Sequence, residues 1–333
     1  MKAAQIKKYS KNIDVVVNDV PIPEPGDNEV LIRVKAAAVN PLDILTLTGS
    51  IKLIQDYDMP MTLGNECSGL VEKTGKNVSA FRPGDNVYAC LPLKTAGAFA
   101  EYVAVDSAFV AKMPSCYNFA TAAAIPLTGL TAYQAITEEL EATPGKTLLI
   151  TGGSGSFGQM ATPLAKAMGL HVIITGNTRS KNKFCRMGVD RYIDYKKENY
   201  WQILKDIDYV IDSLGAAEFR HELSVMKTGG RLLSLRTGPN KMFAVKNGFS
   251  WLKRTLFALA GSKYDKAARK QGKEYRFMFV RADGGQLKEI TEIVEKRHIV
   301  PDIDPRTFSL SQVNEALKLM AHGTLNGKII IKM

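Results

Sequence analysis

The sequence predicts an α/β protein of two domains, one a doubly wound parallel sheet and the other a β-rich unit split across the two ends of the chain. Three observations predict it. Short strand-like runs at close spacing fill residues 1–110. From Lys146 onward, strand-like and helix-like segments alternate. A glycine-rich turn stands at the first strand-to-helix junction of that alternation. The 333 residues are 45% hydrophobic, more than one core usually holds, and 23% charged, which argues against global disorder.

In the β-rich part, Glu29–Ala38 alternates apolar and polar residues in its first half, as a half-buried strand does. Pro21, Pro23, Pro25 and Gly26 mark a loop before it. Gly69–Lys73, Asn86–Ala89 and Phe99–Val105 read as further short strands between Gly, Pro and Asp. The pattern changes near Asn118, where Ala120–Ile136 is Ala-rich and apolar and Thr143-Pro144-Gly145 breaks it. Strands are then expected at Thr147–Thr151, His171–Thr175, Tyr192–Asp194, Tyr209–Asp212 and Arg231–Leu235. Helices fall between them near Gly155–Met168, Ser180–Met187 and Ala216–Val225. Strands alternating with helices imply crossover connections and a parallel sheet. A last stretch, with helices at Gly284–Arg297 and Leu310–Met320 and a strand at Lys328–Lys332, is expected to return to the first domain.

The sharpest local signal is Thr147-Leu-Leu-Ile-Thr-Gly152-Gly153-Ser154-Gly155-Ser156-Phe157-Gly158, which contains Gly153-x-Gly155-x-x-Gly158. Alone such a pattern is weak. Here it follows an apolar strand, opens a helix and heads a strand–helix–strand run, the context in which its glycines admit a pyrophosphate to the free N–H groups of the helix start. The end of the second strand selects between dinucleotides. A site for the unphosphorylated cofactor usually ends that strand in Asp or Glu, which binds the ribose hydroxyls. Here it reads Thr175-Gly176-Asn177-Thr178-Arg179-Ser180-Lys181, with no acid and two cations able to pair with a 2′-phosphate. NADPH is therefore the expected cofactor, held at this turn by Asn177, Arg179, Ser180 and Lys181.

Other chemistries lack their residues. A catalytic zinc needs three Cys, His or carboxylate ligands, and His171, His221, His298 and His322 lie far apart with no Cys at ligand spacing. No Gly-x-Ser-x-Gly elbow is convincingly placed for a serine hydrolase. The four cysteines form no CxxC, no secretory signal or 18-residue apolar span is visible, and a reducing cytoplasm is the expected compartment.

The net charge is +11, and it is uneven. Residues 241–276 hold ten basic residues and two acids. Within them, Leu252, Leu256, Phe257 and Leu259 are expected on one helical side, with Lys253 and Arg254 on another. The segment reads as an insertion in the parallel-sheet domain. A solvated lysine-rich loop, a lid over an apolar acceptor, a face packed on a partner subunit and a weak contact with an anionic membrane all fit it. Nucleic acid is the partner least expected.

Across its whole length the chain resembles the quinone oxidoreductase branch of the medium-chain dehydrogenase/reductase superfamily. The motifs that carry the resemblance are Val39-Asn40-Pro41-Leu42-Asp43, Gly64-Asn65-Glu66-Cys67-Ser68-Gly69, Gly84-Asp85-Asn86-Val87, Gly97-Ala98-Phe99-Ala100-Glu101-Tyr102 and Leu127-Thr128-Gly129-Leu130-Thr131-Ala132-Tyr133. The glycine turn, Ile193-Asp194-Tyr195, Asp212-Ser213-Leu214-Gly215 and Gly327-Lys328-Ile329-Ile330-Ile331 complete the set. The resemblance implies a GroES-like catalytic domain at residues 1–122 and 282–333 and a Rossmann NADPH-binding domain at residues 123–281. Zinc-dependent members carry Cys and His where this chain has Asn40 and Asn65, so a zinc-free enzyme with no metal site is implied.

The resemblance also assigns roles. Asn40 and Thr131 match positions near the nicotinamide and its phosphates, with Asn40 the one positioning residue expected at the reaction site. Ser154, Gly155, Ser156 and Phe157 match the pyrophosphate turn, Tyr195 a 2′-phosphate contact, Leu214 a cofactor contact, and Phe279 the segment that closes over the nicotinamide. Ser156-Phe157 replaces the usual Gly-Val, and Gly49-Ser50-Ile51 stands where a tyrosine is often found, which removes a tyrosine proton donor from that place. The activity implied is transfer of hydride from NADPH to a quinone or an α,β-unsaturated carbonyl (enone), by a homodimer. The competing readings are an NADPH-binding protein acting through its basic segment on a membrane or nucleic acid, and an alcohol dehydrogenase, which the missing zinc ligands disfavour.

Overall fold

The computed structural model describes residues 1–333 and divides them into two units, Met1–Leu130 with Arg281–Met333, and Thr131–Val280. The first boundary falls later than the expected 122/123. Helices α2 and α3 below explain this: Ala122, Ala123, Ile125 and Leu130 are all buried, and α2 packs on strands of the first unit, so the Ala-rich run belongs mostly to that core.

In chain order the first unit begins with β1 (Lys2–Ile6), β2 (Val16–Asp19), β3 (Glu29–Val39), α1 (Pro41–Leu47), β4 (Met61–Thr62), β5 (Glu66–Thr74), β6 (Asn86–Cys90), β7 (Tyr102–Asp106) and β8 (Val110–Lys112). Strands β2, β1 and β4 form a small antiparallel sheet that the sequence pattern does not announce. Strand β3 is the spine of the larger sheet, paired antiparallel with β5 and β7. The expected alternation appears only in its middle, from Ile32 to Ala36; Val30, Leu31 and Ile32 are all buried, and from Ala36 to Val39 every residue is buried again, where α2 packs on Ala36 and Ala38. The chain then runs through α2 (Phe119–Ala123) and α3 (Pro126–Gln134).

The second unit comprises β9 (Thr147–Thr151), α4 (Ser156–Ala167), β10 (His171–Gly176), α5 (Lys181–Arg186), β11 (Arg191–Asp194), α6 (Tyr200–Ile203), β12 (Ile207–Asp212), α7 (Phe219–Val225), β13 (Met226–Ser234), α8 (Lys241–Lys246), α9 (Trp251–Lys270) and β14 (Glu274–Phe277). Its six strands are all parallel, in the spatial order β11-β10-β9-β12-β13-β14. Counted from β9, this is the order 3-2-1-4-5-6 of the Rossmann fold. The order reverses beside β9, so the turn that follows β9 sits at the switch point where such sheets bind ligands.

Two expectations for residues 241–276 need correction. Glu274–Phe277 is not inserted material but the sixth strand of the sheet, with Tyr275 and Phe277 buried and hydrogen-bonded in register to β13. Leu252, Leu256, Phe257 and Leu259 do not share a packed side. Phe257 is buried, in line with Gly261, Tyr264 and Ala268, while the three leucines are exposed.

The chain returns to the first unit through α10 (Gly284–Arg297), β15 (Ile303–Ser309), α11 (Val313–His322) and β16 (Lys328–Lys332). Strand β16 inserts between β15 and β3, and so completes a seven-stranded sheet around the spine.

Candidate functional site

In the second unit the glycine turn is built by close backbone approach. A Cβ on Gly158 would stand 1.7 Å from the carbonyl oxygen of Gly153, so only glycine lets the first turn of α4 close on the end of β9. Gly155 caps α4, and no side chain bonds to the free N–H groups of that helix start. Nothing stands within 4 Å of where a Cβ on Gly155 would lie, so the turn is open where a pyrophosphate would approach.

The neighbouring strand end brings three of the expected residues together. Asn177 Nδ2 donates to Ser154 Oγ (3.3 Å), and Asn177 Oδ1 accepts from the Ser180 backbone N–H (3.1 Å) and hydroxyl (3.2 Å). The Tyr192 hydroxyl donates to the Asn177 carbonyl (2.7 Å) and fixes the turn from below; burial pushes that phenol up to about 12. Arg179 and Lys181 are exposed on the same turn, and neither forms an ion pair with any carboxylate. The one acid nearby, Asp194, is occupied by the Thr178 hydroxyl (2.5 Å) and the Lys196 N–H (3.1 Å), which hold its carboxyl below the usual range. Tyr195 follows it and is 58% exposed. Thr131 and Phe279 are half-buried at the two ends of this unit's sequence; Phe279 packs with Phe277 and Phe243 at ring separations of 5.7 and 6.2 Å. A donor set of hydroxyls, amides and free cations with no free carboxylate suits a phosphorylated dinucleotide.

A buried network that the sequence reading missed ties the strand ends together. Asp212, at the end of β12, accepts from the backbone N–H groups of Leu214 and Gly215 (2.7 Å each) and from the hydroxyls of Ser234 (2.6 Å) and Thr237 (3.0 Å). It thereby sets the loop that presents the exposed Leu214. Ser213 Oγ donates to the Thr151 carbonyl (2.7 Å), and Thr151 Oγ1 donates to Glu222 (2.6 Å). Glu222 has no solvent exposure. Burial, reinforced by the Asp212 charge, pushes its carboxyl up to about 9 from an ordinary 4.5.

Glu222 is thus protonated in the native protein at neutral pH while the unfolded chain has lost that proton. Between about 4.5 and about 9, stability falls as pH rises. The variant Glu222→Gln keeps a donor toward Asp212 and an acceptor for Thr151 without the titration. It is expected to raise the melting temperature more at about pH 8 than at about pH 5. Thermal melts at both values check this, and an equal shift at the two would refute it.

In the first unit, Asn40 is the hub of a second buried centre. Its Nδ2 donates to Glu66 Oε1 (2.8 Å) and the Ala38 carbonyl (3.2 Å), and its Oδ1 accepts from Lys328 Nζ (2.5 Å). Lys328 Nζ also meets Glu66 Oε1 at 2.8 Å, and Glu66 Oε2 accepts the Leu127 N–H (2.7 Å). Glu66 is wholly buried and the Lys328 side chain is 3% exposed. Asp43 accepts from the Asn40 N–H and from Asn65 Nδ2 (2.7 Å each), and burial pushes its carboxyl up to about 7 against the pull of those bonds. Asn65 Oδ1 is buried with no partner.

The Asn40 amide thus takes part in a network inside the first unit, with bonds to Glu66, Ala38 and Lys328. Asn65 joins it through Asp43, and the Lys328 ammonium supplies the positive charge beside Glu66. No cluster of three or more His, Cys, Asp or Glu side chains is arranged to hold a metal ion. Lys328 and Glu66 were visible in the sequence only as parts of motifs. The signal that marks them is a charged residue at the head of a strand that continues with three isoleucines, and a carboxylate followed by the small residues Cys67, Ser68 and Gly69 at the buried start of a strand.

Residues 26–115 match the alcohol dehydrogenase GroES-like domain, and residues 187–331 match the zinc-binding dehydrogenase domain. The mouse protein "NAD(P)H oxidoreductase RTN4IP1, mitochondrial" is 30% identical over 99% of this chain and 86% of its own length. The chain belongs to the medium-chain dehydrogenase/reductase superfamily. The 2-methylene-furan-3-one reductase of Solanum lycopersicum is 31% identical over 99% of this chain and 79% of its own length. The solved quinone oxidoreductase of Coxiella burnetii superposes with a TM-score of 0.83, at 26% identity, over 100% of this chain and 99% of that one. With Asn40 and Asn65 at the ligand positions of zinc-dependent members, this member of the superfamily falls in its zinc-free, quinone oxidoreductase-like branch.

Proposed function

We propose that this protein is an NADPH-dependent oxidoreductase that reduces a quinone or the activated double bond of an enone without zinc. The observation that carries this reading is the acid-free turn after β10, where Ser154, Asn177 and Ser180 converge and Arg179 stands unpaired beside the open glycine turn. The names of the relatives, quinone oxidoreductase and 2-methylene-furan-3-one reductase among them, supply the acceptor class.

Ser154, Gly155, Ser156 and Phe157 would hold the pyrophosphate at the start of α4. Asn177, Arg179, Ser180, Lys181 and Tyr195 would surround the 2′-phosphate, and Thr131, Leu214 and Phe279 the remaining cofactor surface. When bound, the reduced dinucleotide supplies the hydride. The protein's own share is to hold the acceptor in line and to keep the strand ends rigid through Asp212 and Glu222. No tyrosine or histidine stands out as an acid, so solvent is the proposed source of the proton.

NADPH is proposed over NADH. Arg179→Ala is expected to raise the Michaelis constant for NADPH by roughly 10- to 100-fold, the loss of one charge-assisted phosphate contact, and to leave that for NADH nearly unchanged. Steady-state kinetics with both cofactors decide it; equal efficiency with NADH in the wild type would overturn the preference. Activity is expected to survive exhaustive chelation, and loss on chelation with recovery on added Zn²⁺ would overturn the zinc-free reading.

A homodimer is proposed as the working form. Strand β14 supports it, since it is an edge strand with no partner beyond β13, and its charges Glu274 and Arg276 neutralise each other at 2.9 Å. Light scattering that shows only monomer would count against it. A reducing compartment, the cytoplasm, is proposed on the four free cysteines, two of them exposed. Cell fractionation tests it.

A further inference from the structure

Helix α9 presents a face that the reductase reading does not use. Its packed side is Phe257, Gly261, Tyr264 and Ala268, at spacings of four, three and four residues. On the opposite side the same spacing runs Leu252, Leu256, Leu259, Lys263, Lys266 and Lys270, and all six are exposed. The outward stripe is therefore apolar in its first half and basic in its second. Trp251, at the start of the helix, is 77% exposed, and Leu259 is 69% exposed. Met242 and Val245 on α8 add two further exposed apolar side chains in the same stretch of chain.

The charges on this helix are unbalanced. It carries Lys253, Arg254, Lys263, Lys266, Arg269 and Lys270 against the single acid Asp265. Asp265 is turned toward α8, where it accepts from Asn240 Nδ2 (2.8 Å). None of the six cations forms an ion pair. By contrast Lys246 and Arg276, on the flanking elements, are paired with Glu138, Glu139, Glu141 and Glu274. The excess positive charge of residues 241–276 is thus concentrated on the helix that also exposes tryptophan and leucine.

A second copy of this chain would bring the same cations against one another. A neutral apolar partner would leave them unanswered. We propose that α9 docks the protein on an anionic lipid bilayer, with Trp251, Leu252, Leu256 and Leu259 entering the interfacial layer and Lys263, Lys266, Arg269 and Lys270 meeting the headgroups. A helix with Trp and Leu beside Lys and Arg lies in the plane of such an interface, and each basic residue near the surface strengthens binding on the order of fivefold. Docked there, the enzyme draws on acceptors that partition into lipid, such as long-tailed quinones.

The test uses the full chain with vesicles of phosphatidylcholine alone and of phosphatidylcholine with phosphatidylserine. Co-sedimentation is expected with the anionic vesicles at low salt, to weaken as salt is raised, and to be slight with the neutral ones. The double variant Lys266→Gln/Lys270→Gln is expected to bind roughly 25-fold more weakly, with turnover of a water-soluble short-chain quinone unchanged. The chain has two tryptophans, and Trp201 stacks on His221 at 3.8 Å. In a Trp201→Phe background, Trp251 is the only indole, and its emission is expected to shift to the blue on anionic vesicles. No binding to anionic vesicles at low salt, equal binding to neutral ones, or an unshifted Trp251 overturns the proposal. So does a change of solution mass in the lysine variants, which would make α9 a face between copies. Absence of NADPH oxidation with vesicle binding intact would overturn the reductase reading alone.

Discussion

Replacing Lys328 by Met is expected to lower the unfolding free energy by about 3–5 kcal/mol, the usual loss when one partner of a buried ion pair is removed. Glu66 is wholly buried, and its Oε1 faces only Lys328 and Asn40. Without the ammonium, the carboxylate keeps the Asn40 and Leu127 donors but has no opposite charge, and Asn40 Oδ1 loses the Lys328 donor. The double variant Lys328→Met/Glu66→Gln is expected to recover most of the loss, because it removes both charges and leaves an amide to bond with Asn40. Denaturant unfolding of the four proteins in the cycle measures the coupling. A single variant as stable as the wild type would show that Glu66 needs no cation. The pair would then be an accident of packing and not the centre of the first unit.

Gly158→Ala is expected to cost the protein both stability and cofactor. The added Cβ would lie 1.7 Å from the Gly153 carbonyl oxygen, so the start of α4 must move away from β9. Shifts of that kind in a packed core cost about 1–3 kcal/mol. They also turn the free N–H groups of α4 off the pyrophosphate, for which a loss of NADPH affinity of at least about a hundredfold is expected. Gly155→Ala separates the two effects. That Cβ meets nothing within 4 Å, and Gly155 has an ordinary extended backbone at φ −90°. The fold is expected to melt as the wild type does while the methyl group blocks the cofactor's approach. Fluorescence titration with NADPH, beside thermal melts, checks both variants. Unchanged affinity in Gly155→Ala would move the pyrophosphate away from this turn.

Much of the fold was legible because its signals are local. Thr147–Thr151, Gly284–Arg297 and Lys328–Lys332 have the bounds that their apolar periods and flanking breakers mark. The glycine turn and the acid-free strand end were legible for the same reason, since each is a short run whose meaning depends on its immediate neighbours. What escaped depends on distance along the chain. Strands β1, β2 and β4 hold too few residues to show a period, and only their pairing makes them a sheet. The leucines of α9 have the right spacing for a packed face, yet Phe257 and Tyr264, one step round the helix, are the residues that meet the sheet domain's aromatic cluster. Asn40, Glu66 and Lys328 carry no signal of one another, because 26 and 288 residues separate Asn40 from its two partners. Asp212 and Glu222 are closer in sequence, but their meaning lies in Thr151, on another strand.

The interleaving of the two units has a bearing on how the chain is made. As it leaves the ribosome, residues 131–280 form a continuous stretch that carries all six parallel strands, and they are complete before the first unit can be. Until the last strand emerges, β3 has an open edge where β16 will pair, and Glu66 waits without its ammonium partner. Newly made N-terminal chain therefore spends the whole period of synthesis of the Rossmann domain with an unfilled slot in its sheet. It is in that interval, more than in the finished molecule, that the first unit is open to mispairing and to capture by chaperones. A stop codon a few residues before Lys328 would leave the dinucleotide domain whole and the other permanently in that unfinished state.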